Sequence, residues 1–324
     1  EGEMIYAKQG GYDDYEGIDV RGKIVLTDMT WSPGRPEKAR IDAEKGVKAL
    51  VIMNYGTTDH KQFIQMGGIK TQWGNPTPDT INDIPKITVL GITRKDGVFL
   101  KNLCEQSKSV SAWIKADVSK EWVTAHQPMA MIKSEQKTDE FILLGAHLDA
   151  WGKTAICNAS GNALCLELAR VLCQNKKALQ RNILIAFWDG LEIAECAGSN
   201  WHLDRYWEDY KHNCIGYINV DNPGILGTTI PGVESVKEVK DYMLELVGTK
   251  WEEKPTWCEA FKGGGDASYH GIGIPFIYFS TEYTPEKLKE LNYAFFSQWL
   301  HSDQDTVDKI DLDLFTRHFD FFLE

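Results

Sequence analysis

Glu140-Phe-Ile-Leu-Leu-Gly-Ala-His-Leu-Asp-Ala-Trp-Gly152 is the stretch on which the fold turns. Residues 140–146 are almost all apolar, the pattern of a strand buried on both faces of a parallel sheet. His147 and Asp149 follow directly. Asp189 and Glu192 follow a second apolar run at 182–188, and Asp221 closes a third at 215–221. In open α/β sheets, functional groups gather beyond the carboxyl ends of strands. Three strands delivering His, Glu and Asp to such ends point to one shared site, against the plainer reading of separate helix caps. A metal-binding imidazole needs its second nitrogen held by an acceptor, and residues two apart on a strand end point the same way. Asp149 is thereby expected to orient His147 or to brace the adjacent turn.

Around this stretch the chain alternates strand-like and helix-like segments, the mark of α/β architecture. Upstream, strands are expected at 23–27, 48–54, 84–90 and 110–116, helices at 36–44 and 94–105, and a long loop at 57–83. Downstream, helices are expected at 159–173, 198–209, 236–247, 285–296 and from 312 onward, with a further strand at 274–279. The change near Lys120 divides the chain into a smaller α/β domain, 1–119, and a larger one, 120–324.

The 324 residues suit two domains, and 43% hydrophobic with 25% charged residues is ordinary globular composition. No apolar run approaches the roughly 20 residues of a membrane span. A net charge of −12 argues against nucleic acid and anionic membranes as partners. Seven irregularly spaced cysteines in a long chain argue against a disulfide framework and for a reducing, cytoplasmic setting.

The segment Gly145-Ala-His-Leu-Asp-Ala-Trp-Gly152, with Asn158-Ala-Ser-Gly-Asn-Ala163 and Leu166-Glu-Leu-Ala-Arg170, closely resembles the zinc-binding segment of the M28 metallopeptidases. Phe187-Trp-Asp-Gly190, Ala197-Gly-Ser199, Tyr217-Ile-Asn-Val-Asp221, His301-Ser-Asp-Gln-Asp-Thr306 and Asp308-Lys-Ile-Asp311 match further blocks in the same order. Asp19-Val-Arg-Gly-Lys-Ile-Val-Leu26 and Ile84-Pro85 resemble the protease-associated (PA) domain inserted in many of these enzymes. The resemblance implies a zinc-peptidase-like, mainly parallel mixed sheet flanked by helices, beside a smaller PA-type domain. It also implies a peptidase domain that is incomplete at both of its ends.

Carried over residue by residue, the resemblance makes His147, Asp221 and His301 metal ligands. The usual bridging aspartate falls on Cys157, and the usual Glu-Glu pair of base and ligand reads Leu191-Glu192. Counted forward from Gly190, Glu192 is the ligand; counted back from Gly198, it is the base. One carboxylate cannot perform both tasks fully, because a base must be free to accept the water's proton. A thiolate at Cys157 suits zinc or another thiophilic transition metal, as one ion or two. Asp266 and His270, in the block Gly263-Gly-Gly-Asp-Ala-Ser-Tyr-His270, resemble the family's substrate-side loop. Leu300 stands where several members carry a tyrosine that assists the oxyanion, a donor worth roughly 3 kcal/mol.

The leading expectation is a metal-dependent hydrolase of a peptide or small amide bond through a metal-activated water, with an altered donor set. Glu192 and Asp149 are its expected catalytic residues, Glu192 deprotonating that water or holding the metal and Asp149 orienting His147. The alternatives are an inactive M28-like binding module and a non-peptidase metalloenzyme with a thiolate-ligated metal. A homo-oligomer is compatible with either.

Overall fold

Runs of β-branched and leucine residues build two sheets, one in each of two units. The computed structural model describes residues 1–59, 62–69, 76–107, 109–119, 121–194, 196–259, 267–292 and 299–324. One unit comprises Glu1–Val123 with Glu286–Gln304, the other Thr124–Pro285 with Asp305–Glu324.

In the first unit, β1 (Gly2–Tyr6), β2 (Ile24–Asp28), β3 (Ala49–Met53), β4 (Thr88–Ile92) and β5 (Val110–Ala112) pair in the order β4-β3-β2-β1-β5. The first four are parallel, and β5 runs antiparallel to β1. Helix α1 (Arg35–Glu44) begins with a proline in its first turn, where a missing N–H costs nothing. Helix α2 (Arg94–Gln106) is capped by Thr93, whose side chain accepts the Asp96 N–H. The fourth strand starts later than the expected 84–90, because Pro85 has no N–H to donate and a 3-10 turn at Ile81–Asp83 precedes it. The expected strand at 110–116 forms only over Val110–Ala112. Part of the expected 57–83 loop, residues 60, 61 and 70–75, lies outside the described residues.

The second unit holds β6 (Met129–Ile132), β7 (Phe141–His147), β8 (Asn182–Trp188), β9 (Cys214–Asn219), β10 (Ile230–Ser235), β11 (Thr256–Glu259) and β12 (Phe276–Glu282). Their order is β11-β10-β12-β9-β7-β8-β6. Strand β7 lies between β8 and β9, parallel to both, with His147 opposite Trp188 and Gly145 opposite Asn219. That register brings the ends of all three strands to one place. Gly145 is required there: a Cβ would meet the Trp188 indole at 2.6 Å and the Tyr217 ring at 2.7 Å. Those two aromatics are fully buried and share a core with Phe141, Leu143, Leu203 and Phe276.

Helix α3 (Gly161–Gln174) packs Leu164, Cys165 and Leu168 against Leu144, Ala146 and Ile185. The single helix expected at 198–209 is two, α4 (Ala197–Arg205) and α5 (Trp207–Asn213). The break falls at Tyr206, whose ring packs on His202 at 4.6 Å. Helix α6 (Lys240–Lys250) starts after a 3-10 turn, later than expected. Helix α7 (Pro285–Leu291) covers the first part of the expected 285–296, and residues 293–298 lie outside the described residues. Helix α8 (Leu312–Leu323) is capped by Asp311, whose carboxylate accepts the Leu314 N–H. Strands β1, β6, β10 and β11 are additions to the sequence reading. No helix among the described residues is long and apolar enough to cross a membrane.

Candidate metal centre

Each donor in the second unit sits at or just past the end of a strand of the parallel trio, or on the turn that opens α3. His147 ends β7 with 1% exposure, and its Nδ1 lies 2.8 Å from the Asp149 carbonyl oxygen. Donation from Nδ1 to that carbonyl leaves Nε2 facing the site. Around Nε2 stand the Asp221 Oδ1 at 3.3 Å and the Cys157 Sγ at 3.5 Å. The Glu192 Oε1 is 3.2 Å from the same sulfur, and the Trp151 indole N–H donates to Glu192 Oε2 at 2.9 Å. Ligand atoms of His147, Cys157 and Glu192 all lie within 4.8 Å of one another, and Asp221 joins them through His147.

The backbone that carries these groups is itself fixed by side chains. The Asp149 carboxylate accepts the N–H groups of Leu191, Glu192 and Ile193 at 3.0, 2.9 and 3.2 Å. It stands 3.8 Å from His147 Nδ1. Asp149 thus touches the imidazole mainly through its carbonyl and spends its carboxylate on the loop bearing Glu192. Cys157 lies in a widened turn, Ala155–Ser160, where it and Asn158 leave helical geometry. Asn158 donates to the Val220 carbonyl at 2.9 Å and accepts from the N–H groups of Gly161 and Asn222 at 3.1 and 3.2 Å. It fastens the start of α3 to the segment carrying Asp221.

Electrostatics mark the group as a place for positive charge. Burial works against a proton on His147, but the neighbouring Cys157 and Asp221 outweigh it and hold the imidazole well above its ordinary pKa. Burial raises the Cys157 thiol well above its usual range; His147 opposes that rise, while Asp221 and Glu192 add to it. Burial also disfavours the charged form of Asp149, yet His147 and the N–H groups of Ile193 and Leu191 keep its carboxyl below the usual value. With no cation, two acidic groups and a thiol crowd one imidazole. A buried site of this kind is stable when a proton or a metal ion supplies the missing charge.

The sequence-predicted residues divide cleanly. His147, Cys157, Glu192 and Asp221 meet, with Asp149 behind them. His301 belongs to the first unit, where its carbonyl accepts the Met66 N–H at 2.7 Å. His270 lies on the 3-10 turn Ala267–Ile272, and its carbonyl accepts the Gly273 N–H at 2.9 Å. Asp266 lies outside the described residues. Trp151, Asn158 and Asp305 emerge only from the structure, although all three stand in or beside the blocks quoted from the sequence.

Residues 129–324 match the model of peptidase family M28, and residues 1–100 match the PA domain. Aminopeptidase NAALADL1 of Rattus norvegicus is 24% identical, with 72% of this chain and 41% of the relative aligned. A probable glutamate carboxypeptidase VP8 of Zea mays is 33% identical over 28% of this chain and 13% of its own length. The chain therefore spans less than half the length of these curated relatives. Among solved structures, an M28 peptidase precursor from Shewanella amazonensis superposes with a TM-score of 0.71 at 17% identity, covering 99% of this chain and 72% of the other. The zinc aminopeptidase BSAP of Bacillus subtilis gives 0.66 at 19% identity, covering 99% and 73%. At these identities the structures speak for the fold alone. The family match runs from β6 to α8, through every donor gathered above, and on that ground the chain belongs to peptidase family M28.

Proposed function

We propose that this chain carries the metal site of a metal-dependent peptidase, built on a donor set of one histidine, one thiolate and two carboxylates. The observation that carries the reading is the spacing of His147, Cys157, Glu192 and Asp221. Neighbouring donors lie 3.2–3.5 Å apart. Ligands about 2.0–2.3 Å from a tetrahedral ion stand roughly 3.4 Å from one another. Three donor pairs match that spacing; His147, Cys157 and Glu192 form the close group, and Asp221 adjoins it through His147. Asp221 Oδ1 is buried and, apart from the facing His147 Nε2 at 3.3 Å, has no hydrogen-bond partner among the described residues, as suits a ligand. The residues present thus fit a divalent metal, with zinc expected and a thiophilic transition metal compatible.

When bound, such an ion supplies Lewis acidity and a nucleophilic water at neutral pH. The chain's own residues do the rest. His147 presents Nε2 because its Nδ1 is committed to the Asp149 carbonyl. Trp151 holds one oxygen of Glu192 and turns the other toward Cys157. Glu192 is therefore inferred to be a ligand, and Leu191 to stand where a general base is needed. Loss of a positioned base lowers turnover by about 10²–10⁴-fold. His301 enters as a ligand only by the M28 resemblance, and a second ion rests on it. Peptides or small amides are the proposed substrates, and the altered site makes slow hydrolysis the expectation.

The test measures metal per chain, together with amino acid release from a panel of dipeptides and aminoacyl amides. It compares the wild type with His147→Ala, Cys157→Ala and Glu192→Gln. Near-stoichiometric metal that falls in all three variants, with turnover falling alongside, is expected. A wild type that takes up no metal after reconstitution would sink the proposal and leave an M28-like binding module.

A further inference from the structure

Asp305 is 1% exposed, and both of its carboxylate oxygens are used. Oδ1 accepts the Ile156 N–H at 2.8 Å and Oδ2 accepts the Cys157 N–H at 3.1 Å. Its carbonyl accepts the Ala155 N–H at 3.0 Å. The Thr154 hydroxyl donates to the Cys157 carbonyl from the other side. The peptide groups before and after Cys157 are thus both held, in a turn where that residue has φ −110° and ψ 91°. A buried carboxylate is costly unless its oxygens are satisfied, and charge-assisted bonds to two N–H groups are the strong kind. The carboxylate gives one oxygen to each of two backbone N–H groups. It grips the backbone from which one donor, the thiol, projects.

From this arrangement we infer that Asp305 is a positioning residue for the metal site: it sets the turn that aims Cys157 Sγ at His147 and Glu192 before any ion arrives. The inference rests on the metal-binding reading above. It pairs with the role of Asp149, whose carboxylate gathers three N–H groups of the loop bearing Glu192. Each of the two altered ligand positions, Cys157 and the Leu191-Glu192 pair, is thereby mounted on a loop clamped by an acid outside the donor set. Groups that orient metal ligands typically contribute 10–100-fold to affinity.

The deciding experiment uses cobalt(II) as probe on the purified chain. Cobalt affinity is read by competition with a chelator, and the near-ultraviolet thiolate band reports the sulfur–metal bond directly. Asp305→Asn keeps size and shape but sets an amide N–H₂ against one of the two backbone donors. It is expected to bind cobalt 10–100-fold more weakly, with a diminished or shifted thiolate band. Wild-type affinity and an unchanged band in Asp305→Asn would overturn the inference. A wild type with neither cobalt binding nor a thiolate band would instead overturn the metal-binding reading. Hydrogen exchange on the metal-free wild type needs no variant and decides the matter even where Asp305→Asn does not fold. Amides of 155–157 already protected without metal are expected; protection that appears only on loading would show that the ion, not Asp305, sets the turn.

Discussion

On the proposed reading, in which Glu192 is a ligand, Leu191 withholds the general base. Its N–H is held at 3.0 Å by Asp149, one residue before a glutamate that stands among the donors. A carboxylate at 191 would restore the acidic pair of the family without disturbing the metal. Leu191→Glu is therefore expected to raise turnover on an aminoacyl amide by about 10²-fold with unchanged metal content, measured by steady-state kinetics beside metal analysis. Unchanged turnover would mean that Glu192 is already the base. At this scale the sequence placed His147, Glu192 and Asp221 beyond strand ends by position and Cys157 beside them by resemblance, and the four side chains meet. Asp305 was not legible, because its partners lie 148 and 149 residues earlier and are backbone groups, which leave no mark in residue type. Asp149 was expected to orient His147 or to brace the adjacent turn; its carbonyl meets the imidazole, while its carboxylate accepts the 191–193 amides, backbone partners that again leave no mark in residue type.

Between strand β8 and helix α4 runs the loop that delivers Glu192, and its geometry depends on close approach at Gly198. A Cβ there would meet the Asp189 carbonyl oxygen and the Gln127 amide nitrogen, both at 2.2 Å. Those two groups already bind each other: Gln127 donates to the Asp189 carbonyl at 3.2 Å and accepts the Asp189 N–H at 3.0 Å. Gly198→Ala must spread this clamp at the base of the loop. We expect a loss of about 1–3 kcal/mol in urea unfolding, accompanied by weaker cobalt binding. A variant with wild-type stability and affinity would show that the loop is set elsewhere, by Asp149 alone. The elements themselves were readable where apolar runs were long, as in β7 and β8. Short or mixed strands escaped: β6 and β11 have four residues each, and β10 includes Pro231 and Gly232 within its span. Pairing in the finished sheet, rather than local propensity, makes these strands.

Stability of the whole molecule has its own titratable group, far from any ligand in sequence. His318 on α8 is fully buried among Trp251, Phe279 and Phe321, and neither ring nitrogen has a hydrogen-bond partner among the described residues. Lys38 in the other unit is equally buried, but its ammonium donates to the Asp28 carbonyl, and burial lowers its pKa only to about 8. For His318, burial and then the charge of Arg317 push the pKa down to about 3. An unfolded imidazole takes its proton near 6.5. Between about 6.5 and 3 the unfolded chain binds more protons, so stability falls as the pH falls through that window and is fully present above it. From pH 7 to pH 5 this one group removes on the order of 2 kcal/mol. His318→Phe has no proton to gain and keeps an aromatic ring in an aromatic core. The expected result is that the unfolding free energies of wild type and variant, from urea titrations, diverge by that amount between pH 7 and pH 5, with the variant less sensitive to acid. Parallel pH dependence in the two proteins would mean that the imidazole already carries its proton in the folded state, and that the aromatic cluster opens to water around α8.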